Sequence, residues 1–445
     1  MTRVLYWNIE KFAFNKIANP STAKHHGSVT EAEAARDRLS YIENVVAAVQ
    51  PHVVVVVEIS TAFVGDGMLA SGSGLDGCFE LLDEIRGWLG DDPHNPNWML
   101  VPPIQTGPRE AVAVFYDRRN RYFSGPNRWP GGANGVSARP PAATGNYPDA
   151  LRTRLPDRTV PGNSLHNPNR SERRVAARTD FTRRAGVAHA GAAVDWNGRR
   201  APYMVTFAET NADNSFKRNL TLFAIHSPSK IWLARPYLET TLPLVAEIVD
   251  GLNNREGRVV VGDFNVNLLK SADQTEADAY DPLQTAAHYR LLLKPLVAAP
   301  NPLNGYENYF ATHIRGKDTA ACWSSFFLTT YYPGYGYTGS DKVANTYAID
   351  NAFVRYGANG SPPANSRFTV MNPIVGSPYD DHPAPDPATP IGTLGLDRLI
   401  LLPPPAVPPA TGPQSTIGLV SAFQGWDNYW YLRSTSDHLA LAMDV

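Results

Sequence analysis

Six short apolar runs each adjoin a residue able to handle a proton, an anion or a cation. Val4–Trp7 leads into Asn8, Val53–Val57 into Glu58, and Leu220–Ile225 into His226. Val259–Val261 leads into Gly262 and Asp263, Ala348 and Ile349 lead into Asp350, and Ser436, Asp437 and His438 precede Leu439–Val445. Each residue alone has a plain reading, as a loop cap, an arginine partner or a structural histidine. Together the strand ends deliver a compatible set of two histidines, carboxylates and amides. The segment VVVGDFNVN is the most informative. Alternation along an extended chain points Asp263 and Asn265 to one side, and Gly262 lets a ligand or a neighbouring backbone come close. An acid beside an amide suits holding an attacking water and a phosphate oxygen. An Asx turn closing the strand is the alternative.

The elements that must position these residues are short. Val4–Trp7, Val53–Val57, Ala111–Phe115, Tyr203–Phe207, Leu220–Ile225, Val259–Val261, Ala348–Val354 and Leu439–Val445 have the apolar character of buried strands. Glu31–Val49 places Leu39, Ile42, Val45, Val46 and Val49 on one helical face, with Pro51 as the stop. Cys78–Leu89, Leu238–Leu252 and Thr285–Leu293 are further predicted helices. Strands interspersed with helices, with polar residues at the strand ends, indicate a layered fold. The elements run from the first residue to the last, which favours one domain, 1–445, with inserted loops.

Composition narrows the function classes. The 445 residues carry 40 Lys+Arg against 42 Asp+Glu, a net charge of −2, which excludes a globally basic nucleic-acid binder. Two cysteines, Cys78 and Cys322, exclude a disulfide scaffold and a four-cysteine zinc site. Cys78 falls on an amphipathic helix, where burial as a small hydrophobe is expected. The near-neutral total hides an asymmetry. Arg118–Arg200 holds sixteen Arg, no Lys and five acids, so it is +11 and the remainder −13. This stretch reads as an Arg-rich insertion, 118–200. Arginine makes planar, bidentate phosphate contacts, and Trp129, Tyr147 and Trp196 offer stacking. The alternatives are a solvated loop, pairing with the acidic remainder, or an acidic partner protein. Twelve prolines between Pro373 and Pro413 mark a second insertion, 357–425, because proline that dense blocks both helix and central strand. No secretory signal and no 18-residue apolar run is visible, so a cytoplasmic chain without a membrane span is expected.

The ordered set WNIEKF, VVVEIS, REAVAVFYD, LFAIHSPS, VVVGDFNVN, YAIDNAFV and SDHLAL resembles the endonuclease/exonuclease/phosphatase superfamily. His226 in IHSPS together with His438 in SDH makes the deoxyribonuclease I-like branch the nearest. The resemblance implies an α+β fold, a four-layer α/β/β/α sandwich of two packed, mainly antiparallel sheets flanked by helices. It implies phosphoester cleavage with Mg²⁺, Mn²⁺ or Ca²⁺, which suit oxygen-rich ligation. Two histidines would share the work, one activating water and the other protonating the leaving oxygen. By the same resemblance Asp350 orients His438, and Glu110 is the partner of His226. Asn8, Glu58 and Asp437 would be at the metal, while Asp263 and Asn265 contact phosphate, metal or water. Asn8, Asn265, Arg109 and Tyr116 are the expected substrate contacts.

Some positions depart from the pattern. Ser60 stands where the deoxyribonuclease I group carries a DNA-contacting Arg, and NTYAIDNAF replaces the PAWCDR-like segment of inositol-polyphosphate phosphatases. Asp381–His382 is a competing Asp–His pair, but it sits in a Pro-rich loop with no strand after it. His25, His26 and His313 read as loop histidines outside any metal site. The expected function is a non-specific DNA endonuclease. A sphingomyelinase-like lipid phosphodiesterase or a phosphatase is the alternative, with the aromatic stretch Tyr331–Tyr337 as a membrane contact. A non-catalytic nucleic-acid or protein binding module is the third.

Overall fold

In the computed structural model the described residues are 1–18, 31–62, 70–94, 96–125, 188–189, 192–193, 200–213, 216–268, 277–292, 312–314, 346–347, 349–360, 368–371 and 435–445. Most of both insertions, Cys322, His25, His26, Asp381, His382, Trp129, Tyr147, Trp196 and the stretch Tyr331–Tyr337 lie outside them.

Twelve strands form two six-stranded sheets. They are β1 (Arg3–Phe12), β2 (Val53–Ser60), β3 (Trp98–Gly107), β4 (Glu110–Asp117), β5 (Arg121–Gly125) and β6 (Tyr203–Thr210). β7 (Phe216–His226), β8 (Glu256–Asp263), β9 (Arg290–Leu291), β10 (Asp350–Tyr356), β11 (Phe368–Met371) and β12 (Ala440–Asp444) follow. The first sheet runs β11-β12-β1-β2-β4-β3 and the second β9-β10-β8-β7-β6-β5. Each is antiparallel apart from one central parallel pair, β1 with β2 and β7 with β8. Those parallel strands are buried on both faces, which explains why they read as continuous apolar runs rather than alternating ones. The sheets share one continuous core, with Tyr116 of β4 against Phe207 of β6 at 4.9 Å between ring centroids.

Helices cover the outer faces. α1 (Glu31–Val49) lies on the first sheet, where Arg3 donates to the Val49 carbonyl at 3.0 Å. The expected face holds: Ile42, Val45, Val46 and Val49 are buried. α2 (Ser73–Trp88) covers the same sheet and buries Cys78 completely, which pushes its thiol pKa well up. On the second sheet Arg258 of β8 donates to the carbonyls of Ile248 and Asp250. The expected helix Leu238–Leu252 is instead a broken path. A π turn, Tyr237–Thr241, passes into a 3-10 turn at Leu242–Leu244 and a last turn at Ala246–Val249. Pro243 has no N–H to donate, so a continuous helix is interrupted there.

Three other expectations change. Thr285–Leu293 is not a helix: one turn ends at Thr285, and Arg290–Leu291 pairs with β10 as an edge strand. Arg121–Gly125, inside the Arg-rich segment, is an edge strand on β6. Phe368–Met371, inside the Pro-rich segment, pairs with β12. Edge strands need only one partner and so carry little hydrophobic signal of their own. Among the described residues no helix is long and apolar enough to cross a membrane.

Candidate functional site

The central parallel pairs end on the same side of the sandwich, and their last residues meet there. β8 pairs with β7 in register up to Asp263 opposite His226, and with β10 up to Asp263 opposite Asp350. Gly262 makes this possible. A Cβ there would lie 2.2 Å from the Ile225 carbonyl oxygen, so only glycine lets β7 approach.

Asp263 is the hub. Its Oδ2 lies 3.7 Å from His226 Nε2 and 3.7 Å from His438 Nε2, and Asn8 Nδ2 donates to it at 3.4 Å. Its Oδ1 accepts the Asn265 amide at 2.8 Å, and Asn265 in turn donates to the Ser227 carbonyl. Each histidine is fixed through its other nitrogen. His438 Nδ1 sits 2.7 Å from Asp350 Oδ2, and His226 Nδ1 sits 3.0 Å from Glu110 Oε2. The two carboxylate–imidazole dyads come from different parts of the fold, Asp350 and His226 from the second sheet, Glu110 from the first, and His438 just before β12. Both present Nε2 to the same carboxylate oxygen.

The supports are equally specific. Asp350 is fully buried; its backbone N–H and that of Ile349 both donate to the Thr312 hydroxyl, and Tyr6 donates to its Oδ1 at 3.4 Å. His438 is pinned by its N–H to the Ser436 hydroxyl, and Ser436 donates to the Asn8 carbonyl. Arg200 forks Glu110, with Nε 2.7 Å from Oε2 and Nη2 donating to Oε1 at 2.9 Å. Its Nη1 donates to the Ser227 carbonyl beside His226. Gly107 leaves room for this, since a Cβ there would lie 2.6 Å from the Arg200 side chain.

Backbone strain gathers at this end. Lys11, Glu58, Arg109 and Asn265 all have positive φ, between 51° and 60°. Such conformations cost about 1–3 kcal/mol each and persist where surrounding contacts fix them. At Glu58 the positive φ coincides with a register shift between β2 and β4, which turns the side chain toward Asn8 and His226.

Electrostatics follow from this crowding. Burial pushes both imidazoles toward neutrality, but the carboxylates prevail. Asp350, Asp263 and Asp437 hold His438 well above the usual histidine range. The Glu110 hydrogen bond, with Glu58 and Asp263, raises His226 against the opposing pull of Arg200. Burial would raise Glu110; His226 and Arg200 outweigh it and hold its carboxyl at about 2. Asp263 is raised by burial and by Asp350, against His438, His226 and His313.

A cation would meet a suitable donor set. Asn8 is fully buried, and its Nδ2 is turned to Glu58 and Asp263, so its Oδ1 is left without a hydrogen-bond partner. Glu58, His226 and Asp263 offer one ligand atom each within 4.8 Å of one another. Oxygen donors dominate, as Mg²⁺ or Mn²⁺ prefers.

Of the residues expected from the sequence, Asn8, Glu58, Glu110, His226, Asp263, Asn265, Asp350, Asp437 and His438 gather here. Arg109 is at the rim, exposed, its carbonyl accepting from Thr61. Tyr116 is removed from the set. It lies six residues beyond Glu110 on the same strand, about 20 Å away, buried against Phe207. His313 is corrected in the other direction. Its Nε2 is 3.6 Å from Asp437 Oδ2 and its ring is 4.5 Å from that of His438. Sequence reading also missed Arg200, Thr312 and Tyr6. Arg200 carried no signal beyond being the last of the sixteen arginines.

No family model matches the chain, and no curated protein matches it. Solved structures do match over nearly its whole length. An endonuclease/exonuclease/phosphatase family protein from Leptotrichia buccalis is 9% identical, with TM-score 0.39, covering 100% of this chain and 99% of that one. Truncated TDP2 from Caenorhabditis elegans is 8% identical, with TM-score 0.39 and coverages of 100% and 98%. The human Nocturnin catalytic domain is 11% identical, with TM-score 0.37 and coverages of 100% and 93%.

Proposed function

We propose that the chain is a member of the endonuclease/exonuclease/phosphatase superfamily and a divalent-cation-dependent phosphodiesterase acting on DNA. The observation that supports this best is the pair of dyads, Glu110–His226 and Asp350–His438, with both Nε2 atoms 3.7 Å from Asp263 Oδ2. In-line displacement at phosphorus needs a proton taken from water on one side and given to the leaving oxygen on the other. Two imidazoles facing one point meet that need, and their shared pull toward the protonated form keeps a proton available near neutral pH. Glu110 and Asp350 fix the ring orientation, and Arg200 is a positioning residue that holds Glu110. Asp263 and Asn265 orient phosphate or water. Asn8 and Glu58, with Asp437 nearby, would hold the cation, which when bound neutralises charge on the phosphate.

DNA is the proposed substrate because the Arg-rich segment supplies the phosphate-binding charge that the rest of the chain, at −13, lacks. One observation favours a second reading, a lipid phosphodiesterase. Ile231, Trp232 and Leu233 are 52%, 64% and 40% exposed, five to seven residues after His226, with Lys230 over the Trp232 ring at 5.0 Å. Apolar side chains beside a cation suit a membrane surface. The full chain assayed side by side on supercoiled plasmid, RNA and sphingomyelin liposomes, with Mg²⁺ and then with EDTA, separates the two. Nicking of plasmid that EDTA abolishes is expected. Turnover of liposomes alone would transfer the assignment to the second reading, and inert protein across the panel would refute both.

A further inference from the structure

His313 belongs to no part of the scheme above, yet it is held beside it by backbone. It forms an isolated antiparallel bridge with His438, and Leu439 donates to the Thr312 carbonyl at 2.8 Å. Residues facing one another in this way have their Cβ atoms about 4.5–5.5 Å apart. The two rings meet edge to face at 72°. Asp437 reaches both: Oδ2 is 3.6 Å from His313 Nε2 and Oδ1 is 3.7 Å from His438 Nε2. His438 Nδ1 is occupied by Asp350, so Nε2 is the nitrogen it has left to offer.

These separations exceed hydrogen-bond length. They approach the spacing of ligands around one ion, since bonds of about 2.0–2.1 Å in a tetrahedron put ligand atoms about 3.3–3.4 Å apart. One ligand atom from each residue lies within 4.8 Å of the others, so side-chain shifts on the order of an ångström would close the triad. It is reachable from solvent, with His313 13% and Asp437 20% exposed. Of the two other three-residue groups among the described residues, Glu58, His226 and Asp263 share no member with it, while Asp263, Asp350 and His438 share His438. The chemistry differs as well. Each of those groups has one imidazole and two carboxylates, and this one has two imidazoles and one carboxylate. Imidazole-rich sites suit zinc, cobalt and nickel, and carboxylate-rich sites suit magnesium, calcium and manganese.

We propose that His313, Asp437 and His438 form a second cation site, taking a nitrogen-preferring divalent metal of the zinc or cobalt type, which borders the oxygen-rich group at Asn8 and Glu58 through Asp437. One consequence rests on the functional reading above. A metal on His438 Nε2 removes that nitrogen from proton transfer, so zinc would inhibit at concentrations where magnesium supports turnover.

The direct test needs no substrate. The full-length wild-type chain, loaded with one equivalent of Zn²⁺, is examined by zinc-edge X-ray absorption, and Zn²⁺ affinity is measured by calorimetry. Two imidazoles per zinc are expected. Affinity should fall more than about tenfold in His313→Ala and in His313→Asn, while Glu58→Gln binds as tightly as wild type. A single imidazole with oxygen ligands would assign zinc to Glu58, His226 and Asp263 and overturn the proposal. So would no binding by wild type, or unchanged affinity in both His313 variants. Zinc held by His226 and His438 around Asp263 would also show two imidazoles, so the His313 variants decide between the two, and His313→Asn keeps the comparison where the alanine variant fails to fold. Loss of plasmid cleavage as a function would leave these binding results untouched.

Discussion

The two ends of the sandwich are built from the same strands and treat charge in opposite ways. At the far end, the Arg3 side chain is 3.1 Å from Asp444, and Arg218 Nε is 2.7 Å from Glu209. Arg218 also donates to the carbonyls of Gly360 and Val445, Thr2 donates to Glu209, and Arg121 donates to the Thr2 hydroxyl. His52 accepts the Arg3 N–H, and burial with Arg121 and Arg3 nearby drives its pKa down to about 2, so it stays neutral. Most cations and anions there meet within hydrogen-bond distance, although Lys217 stands 3.6 Å from Glu209 and Asp444 Oδ2 has no hydrogen-bond partner. At the site end, five carboxylates and three histidines converge, but the contacts that point inward are 3.4–3.7 Å long. One buried oxygen, Asn8 Oδ1, has no partner at all. Buried polar groups are normally satisfied. One end is closed by its own chain, and the other is arranged to be completed by something else.

Breaking either end should therefore have different readouts. The largest effect is expected at the open end: Asp350→Asn or His438→Ala lowers phosphodiester cleavage by about 10²–10⁴-fold, in the range of a lost general acid or base. His438→Ala should also lower the melting temperature, because the fully buried Asp350 loses its imidazole partner at 2.7 Å, so cleavage is compared per folded molecule.

At the closed end the signs reverse. Glu209→Gln leaves Arg218 buried and without its counter-charge, and should cost about 3–5 kcal/mol in denaturant unfolding. Cleavage per folded molecule should be unchanged. Proportional loss of activity and stability in this variant would contradict the division between the ends.

Acid should titrate the closed end over the same range as Glu110 at the site end, which is also held at about 2. Burial would raise the Glu209 carboxyl, but Arg218, Arg121 and Lys217 hold it at about 2. Its folded value is below the unfolded value of about 4.3, so its contribution is complete above that pH and is lost as pH falls toward 2. That window is worth about 3 kcal/mol at 1.36 kcal/mol per unit. In a stability-versus-pH series wild type should lose about that much more than Glu209→Gln, because Glu110 titrates in both.

The smallest effect belongs to Arg200. Arg200→Ala is expected to slow cleavage about tenfold, as for other partners that act through a ligand or base. Arg200 lowers His226 through charge, so its removal should move the pH profile upward. An unshifted profile with an equal rate would make Arg200 a purely structural contact.

The open end was largely legible in the sequence because its residues terminate buried strands. An apolar run stops where a side chain must face a site, so Asn8, Glu58, His226, Asp263 and Asp350 mark themselves. Arg200, Thr312 and His313 stand in connecting segments without periodicity, and their partners Glu110, Asp350 and Asp437 are 90, 38 and 124 positions away. Nothing local records such a contact. Tyr116 misled because a motif was carried as a block, although strand length separates its two ends by about 20 Å. The helix expected at Thr285–Leu293 failed for a related reason. Apolar spacing there serves packing under β10, where Tyr289 is buried with its hydroxyl on the Ile248 carbonyl.

The central claim is that the two dyads act as one unit on one phosphodiester. Its most direct test is plasmid cleavage with Mg²⁺ by wild type, His226→Ala, His438→Ala and the double variant, each confirmed folded by circular dichroism. Groups that act together are strongly non-additive. The double variant should therefore be scarcely slower than either single one, with all three reduced by at least about 10²-fold. Full activity in either single variant, or losses that simply multiply, would contradict the account.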